Sequence, residues 1–191
     1  MTMTRVETAA TMPSAARAHF MASSAVASRF FGDHAEDIAR ACHSMAARFQ
    51  QGGRLLVCGE GAQRSDVSHV VVEFLHPVVV GKRALPAIAL TGDSLRDSAL
   101  HLAVFARQED ILLVLSAGLV SGMQGESIVS AASLGLLTVV LSGGDILPPR
   151  GDHAFMVPSN DVCIVQETHE MLYHVLWELT HVFLDHRGSE A

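Results

Sequence analysis

The chain has 191 residues, 49% of them hydrophobic and 17% charged, which excludes a disordered chain and suits one domain with a real core. Its 13 Lys and Arg against 20 Asp and Glu leave a formal net charge of −7, a sign that disfavours nucleic acid as a direct partner. No apolar run approaches the roughly 20 residues of a membrane span, and no basic-then-apolar leader is present, so a cytoplasmic protein is expected.

Residues 1–13, rich in Thr and Ala without periodicity, are expected to form a flexible tail, with a single domain over 14–191. Helical composition begins at Ser14 and runs to Phe31. A clearer helix follows, in which Ile38, Ala41, Cys42, Met45 and Phe49 recur at helical spacing until Gln51-Gly52-Gly53 stops it. Beyond it, short apolar runs alternate with longer helical stretches. The runs are Arg54–Cys58, Pro86–Leu90, Ile111–Leu115, Leu137–Leu141 and Ala154–Val157, each without period-two alternation, as in strands buried on both faces. Helices are expected over Ser65–Leu75, Ser94–Ala106 and Gly122–Leu134, and a long one from Asp161 to about His186 that carries the only Trp and Tyr. This alternation predicts an α/β fold: a three-layer α-β-α sandwich around a five-stranded, mostly parallel sheet.

Open parallel sheets bind ligands beyond the carboxyl ends of their strands. Two turns there stand out, Gly59-Glu60-Gly61-Ala62-Gln63 after the first strand and Ser116–Ser121 after the third. Each leads into a helix whose free N–H groups can receive an anion, although an ordinary tight turn accounts for either equally well. The three cysteines, Cys42, Cys58 and Cys163, form no CxxC pair and read as buried free thiols.

These motifs carry a resemblance. Gly59-Glu60-Gly61-Ala62-Gln63-Arg64-Ser65-Asp66-Val67-Ser68-His69 through Glu73 resembles the GNGGSAADAQHFAAE motif of the phosphoheptose isomerases, within the sugar-isomerase (SIS) fold. Leu85-Pro86-Ala87-Ile88-Ala89-Leu90-Thr91-Gly92-Asp93-Ser94 is similar to their LPAIALTTDS, and Ser116–Ser121 stands in the place of their STSGNS loop. Pro158-Ser159-Asn160-Asp161 through Gln166-Glu167-Thr168-His169 to His174 is similar to their PSNDTARIQEAH segment and the histidine beyond it.

The resemblance implies an aldose–ketose isomerase acting on a sugar phosphate. It implies one Zn²⁺ per subunit held by His69, Glu73, Gln166 and His174, with Glu73 and His174 catalytic. It also implies substrate contacts from Gly61, Gln63, Arg64, Asp93, Ser116, Ser121 and Gln166. Spacing supports part of this, since His69 and Glu73 at i and i+4 share one helix face, and an imidazole with a carboxylate can share a zinc ion. A polar face turned to solvent is the plainer account, and the neighbours Val70, Val71, Val72 and Phe74 argue for a largely buried helix instead. Gln166 and His174 lie about 12 Å apart along a helix, too far to reach one ion together. The homotetramer that the resemblance implies, with sites at subunit interfaces, removes that difficulty. His169, one turn after Gln166, is a weaker candidate for supporting the metal shell, and the other histidines read as surface or satisfied side chains. Asp93 has an equally good account as a helix N-cap.

The phosphate-holding residues depart from the pattern. Glu60 replaces the family asparagine and Gln63 the serine; Ala117, Gly118, Leu119 and Val120 replace polar loop residues, and Ile164 replaces an arginine. Between Asp93 and the third strand the chain is shorter than the family pattern by about ten residues, judged by the reach between flanking motifs. Arg64, Lys82 and Arg83 are the cations available to compensate. The alternative to an isomerase is a non-catalytic SIS protein that binds a sugar or a partner protein, like those associated with the replication initiator, or a structural subunit of a mixed oligomer. That class has no need of the His/Glu/Gln/His set, which favours the enzyme.

Overall fold

The structure, a computed structural model, describes residues 5–77, 79–90, 95–118, 122–144 and 150–188. In chain order the elements are α1 (Arg5–Gln50), β1 (Leu55–Gly59), α2 (Gln63–Leu75), β2 (Ala87–Ala89) and α3 (Leu95–Phe105). They continue with β3 (Ile111–Leu115), α4 (Gly122–Ser133), β4 (Leu137–Gly143), β5 (His153–Val157) and α5 (Val162–Gly188).

Helix α1 is one uninterrupted helix, where composition suggests a tail to residue 13 and two helices beyond it. The polar stretch after Phe31 does not break it. Gly32 is its only glycine, a cost of roughly 1 kcal/mol, and the buried Phe30 and Ile38 on either side outweigh that. The helix stops where the two glycines stand. Gly52 adopts φ +85°, its N–H bonds to Phe49 O at 3.2 Å, and the Gly53 N–H bonds to Arg48 O at 2.9 Å. A Cβ on Gly53 would lie 2.0 Å from the Glu109 carbonyl oxygen, so the chain passes the β3 approach only with glycine there.

The five strands lie in the order β2-β1-β3-β4-β5 and every neighbouring pair is parallel. Alternate residues of β1, β3 and β4 enter two separate cores, whereas β5 buries Phe155 and Val157 in one of them only. Leu55, Val57, Leu113, Val139 and Phe155 pack with α1, α2 and α5, while Leu56, Cys58, Leu112, Val114 and Val140 pack with α3 and α4. Burial on both faces is the physical reason these strands read as continuous apolar runs. The order reverses between β1 and β3, so the turns after these two strands flank the switch point, where such sheets place ligands.

At the opposite edge, Asp110 is fully buried. Its carboxylate accepts from Arg54 Nη2 at 2.6 Å, from the Arg54 backbone N–H at 2.8 Å and from the Arg107 N–H at 2.9 Å. This ties the entries of β1 and β3 together. Two cysteines match the expectation of buried thiols, and burial pushes Cys42 and Cys58 up to about 12; Cys163, in the solvent-facing first turn of α5, is exposed instead. No helix among the described residues is long and apolar enough to cross a membrane.

Candidate active site and metal-binding group

Helix α2 is amphipathic rather than largely buried. Val67, Val70 and Phe74 enter the core, whereas Val72 is 52% exposed. The face between core and solvent carries Asp66, His69 and Glu73, and it lies against α5. The two helices run side by side in the same direction. Gln166 Nε2 donates to Asp66 Oδ1 at 3.0 Å, Tyr173 Oη lies 2.9 Å from His69 Nδ1, and His174 Nε2 lies 4.0 Å from Glu73 Oε1.

Among the described His, Cys, Asp and Glu residues, one trio gathers its donor atoms closely enough for a metal ion. It is His69, Glu73 and His174, with ligand atoms all within 4.8 Å of one another. His69 Nε2 is 3.4 Å from Glu73 Oε1, and the two imidazoles face edge to plane with centroids 5.2 Å apart. The Glu73 side chain is 16% exposed, those of His69 and His174 37% and 43%. Two nitrogens and one carboxylate oxygen, converging from one side and open on the other, match the donor chemistry of zinc with a free coordination position. One chain therefore supplies His69, Glu73 and His174 together. Gln166, expected to join His174 at a site shared between subunits, faces Asp66 within the one chain, one turn before His69.

Asp66, Glu170 and Tyr173 were not singled out by sequence, although Gln166, Glu170, Tyr173 and His174 follow helical spacing and so share one face. Burial pushes the Asp66 carboxyl up, the Gln166 hydrogen bond pulls it partly back, and the Glu170 charge pushes it up again. Burial, and then the charges of Glu170, Asp66 and Glu73, raise Tyr173, so its hydroxyl keeps its proton. His169 points to the other side of α5. It is fully buried, its Nε2–H donates to Ser142 O at 3.1 Å, and burial lowers it to about 4, which keeps it neutral and apart from the trio.

A cavity of about 680 Å³ opens between α1 and α5 and has His174 in its wall. Ser23, Ser24, Glu167, Glu170 and Met171 also line it. His19 Nε2 lies 3.0 Å from Glu167 Oε1 and the Ser23 hydroxyl donates to the other carboxylate oxygen, so His19 is a surface histidine with a definite partner, in line with its reading from the sequence.

The proposed phosphate contacts divide. Gly61 turns the chain at φ +56°, and the N–H groups of Gln63, Arg64 and Ser65 bond back to the carbonyls of Glu60, Gly61 and Ala62 at 3.0, 3.3 and 3.3 Å. Three of the N–H groups expected to receive an anion are thus turned inward. Gln63 is 3% exposed and packs under Gly59, while Arg64 is exposed. Ser116 is buried and its N–H bonds to Leu141 O at 2.9 Å. Asp93 and Ser121 lie outside the described residues. Lys82 does not compensate: it bonds Asp185 Oδ2 at 2.5 Å, beyond the far end of α2 and about 18 Å along that helix from the turn.

Comparison with known proteins agrees with this architecture. The SIS domain family matches residues 18–143. The phosphoheptose isomerase of Solidesulfovibrio magneticus is 32% identical over 182 residues, covering 88% of this chain and 87% of its own. That of Alkalilimnicola ehrlichii is 34% identical over 162 residues, covering 75% and 82%. The solved phosphoheptose isomerase of Francisella tularensis superposes with a TM-score of 0.77 at 24% identity, over 94% of this chain and 99% of that one.

Proposed function

As a member of the SIS-domain family, phosphoheptose isomerase-like over most of its length, this chain is, we propose, an aldose–ketose isomerase acting on a sugar phosphate. The first substrate to test is sedoheptulose 7-phosphate, with D-glycero-D-manno-heptose 7-phosphate as product. The observation that carries the proposal is the meeting of Glu73, His69 and His174 beside an open cavity.

Such an isomerisation moves a proton between C1 and C2 through an enediol and needs one base and one acid. Glu73 takes the C1 proton of the ketose while His174 gives a proton to the carbonyl oxygen at C2. The enediol then loses its O1 proton and regains a proton at C2. At 4.0 Å the two side chains are beyond hydrogen-bond range, so neither proton is committed to the other group. A bound zinc ion, held by His69, Glu73 and His174, would polarise the carbonyl and orient the sugar hydroxyls. Gln166 gives its amide N–H to Asp66 and keeps its carbonyl oxygen for a sugar hydroxyl.

A homotetramer with sites at subunit interfaces belongs to the same proposal. Phe20 at 68% and Met171 at 40% exposure, both on the cavity rim, are apolar surface that such an interface would cover. Light scattering that reports a monomer at micromolar concentration would remove that part.

The deciding experiment incubates the purified chain with sedoheptulose 7-phosphate and, in parallel, with sedoheptulose, and follows aldose formation. Aldose from either sugar supports the isomerase. The inward-turned N–H groups after β1 favour a second reading, a non-catalytic sugar- or partner-binding protein, which stands if neither sugar is converted or bound.

A further inference from the structure

The two nitrogens of His69 meet different partners. Nε2 faces Glu73 at 3.4 Å, and Nδ1 lies 2.9 Å from the Tyr173 hydroxyl. Tyr173 is 1% exposed and belongs to the core shared by α1, α2 and α5. Its ring meets those of His69 and His174 at 5.3 and 5.0 Å between centroids, so it cannot swing away without emptying core space. The other group near Nδ1 is Glu170 Oε1, at 3.8 Å beyond hydrogen-bond range.

We infer that Tyr173 is a positioning residue: its hydroxyl occupies His69 Nδ1 and so presents Nε2 as the metal-binding nitrogen toward Glu73 and His174. This rests on the reading of that trio as a metal site. A hydroxyl both donates and accepts, and that is what the position requires. When Nε2 carries the ring proton and faces the Glu73 carboxylate, Tyr173 donates to Nδ1. When Nε2 is bare for a cation, the ring proton sits on Nδ1 and Tyr173 accepts it. One buried hydroxyl thus serves both ring forms, and metal loading shifts a proton within the ring without moving a side chain. A carboxylate at that place could only accept.

The test combines the imidazole ¹⁵N spectrum of the zinc-loaded full chain with chelator-competition titration of zinc. The expected spectrum has His69 metallated at Nε2 and protonated at Nδ1. Tyr173→Phe keeps the ring and removes the hydroxyl, and is expected to weaken zinc binding about 10- to 100-fold with the thermal midpoint checked alongside. Glu170→Gln is expected to stay within about twofold, as its distance predicts. Zinc bound through His69 Nδ1, or an unchanged affinity in a folded Tyr173→Phe protein, overturns the inference and leaves the metal site standing. Failure of the unmodified chain to bind zinc at all overturns both. Should Tyr173→Phe not fold, the spectrum of the unmodified chain decides which nitrogen is presented.

Discussion

His174 Nε2 stands 4.0 Å from Glu73 Oε1, across the seam between α5 and α2. The contact exists because the two helices run side by side, so Asp66 and Gln166 pair near their starts and Glu73 and His174 meet two turns later. In the proposed mechanism the base and the acid come from different helices, held apart by packing, so that each stays available to a substrate.

Replacing Glu73 by Gln keeps the side chain's size and removes its basicity. Turnover is expected to fall by about 10²–10⁴, the span usual for loss of a general base, while sugar binding persists. A product assay run beside calorimetric sugar binding checks both halves. Loss of binding with turnover would move Glu73 from proton transfer to substrate holding.

Metal analysis after zinc-supplemented preparation is expected to give about one ion per subunit, as three converging ligands and an open position predict. His69→Ala removes a nitrogen that faces Glu73 and is expected to abolish the bound zinc. An unmodified protein that carries no divalent ion would contradict the assignment.

Glu60 is half-buried in the turn after β1, beside any phosphate held there. Glu60→Asn is expected to strengthen binding of sedoheptulose 7-phosphate by roughly 0.5–1 kcal/mol, about two- to fivefold, through loss of a partly screened repulsion. Binding of unphosphorylated sedoheptulose should not change, so calorimetry with both sugars separates charge from shape. Equal gains for the two sugars would place the phosphate elsewhere.

Asp110 supports the sheet at the edge away from the site. Burial alone would raise its carboxyl, but hydrogen bonds from Arg54 and from the backbone N–H groups of Arg107 and Arg54 hold it below the ordinary value. A carboxyl lowered on folding stabilises above its unfolded pKa, near 3.9, and loses that contribution as pH falls through the folded value. Asp110→Asn leaves Arg54 without its counter-charge and is expected to cost about 3–5 kcal/mol at neutral pH. The deficit relative to the unmodified chain should shrink below about pH 4. Urea unfolding at several pH values reads both effects, and a deficit that does not change with pH would mean the charge is not what matters.

Much of the fold was legible in the residues. Strands buried on both faces leave unbroken apolar runs such as Ile111–Leu115, and a helix end that needs φ above zero leaves glycine at Gly52. His69 and Glu73 were legible as a pair because i and i+4 on one helix are neighbours whatever surrounds them. Continuity of α1 through Gly32 was not, since it depends on what Phe30 and Ile38 bury against. Nor were the partners of Gln166, Tyr173 and His174. Spacing along α5 says which residues share a face, but only the packing of α5 against α2 decides that Gln166 meets Asp66, Tyr173 meets His69 and His174 meets Glu73. Similarly, the turn after β1 shows its glycine and its acidic substitution in sequence, whereas the inward bonding of its N–H groups and the burial of Gln63 come from how that turn seats against Gly59. Local chemistry is set by the residues present; which residues share one site is set by contacts more than 90 positions apart in the chain.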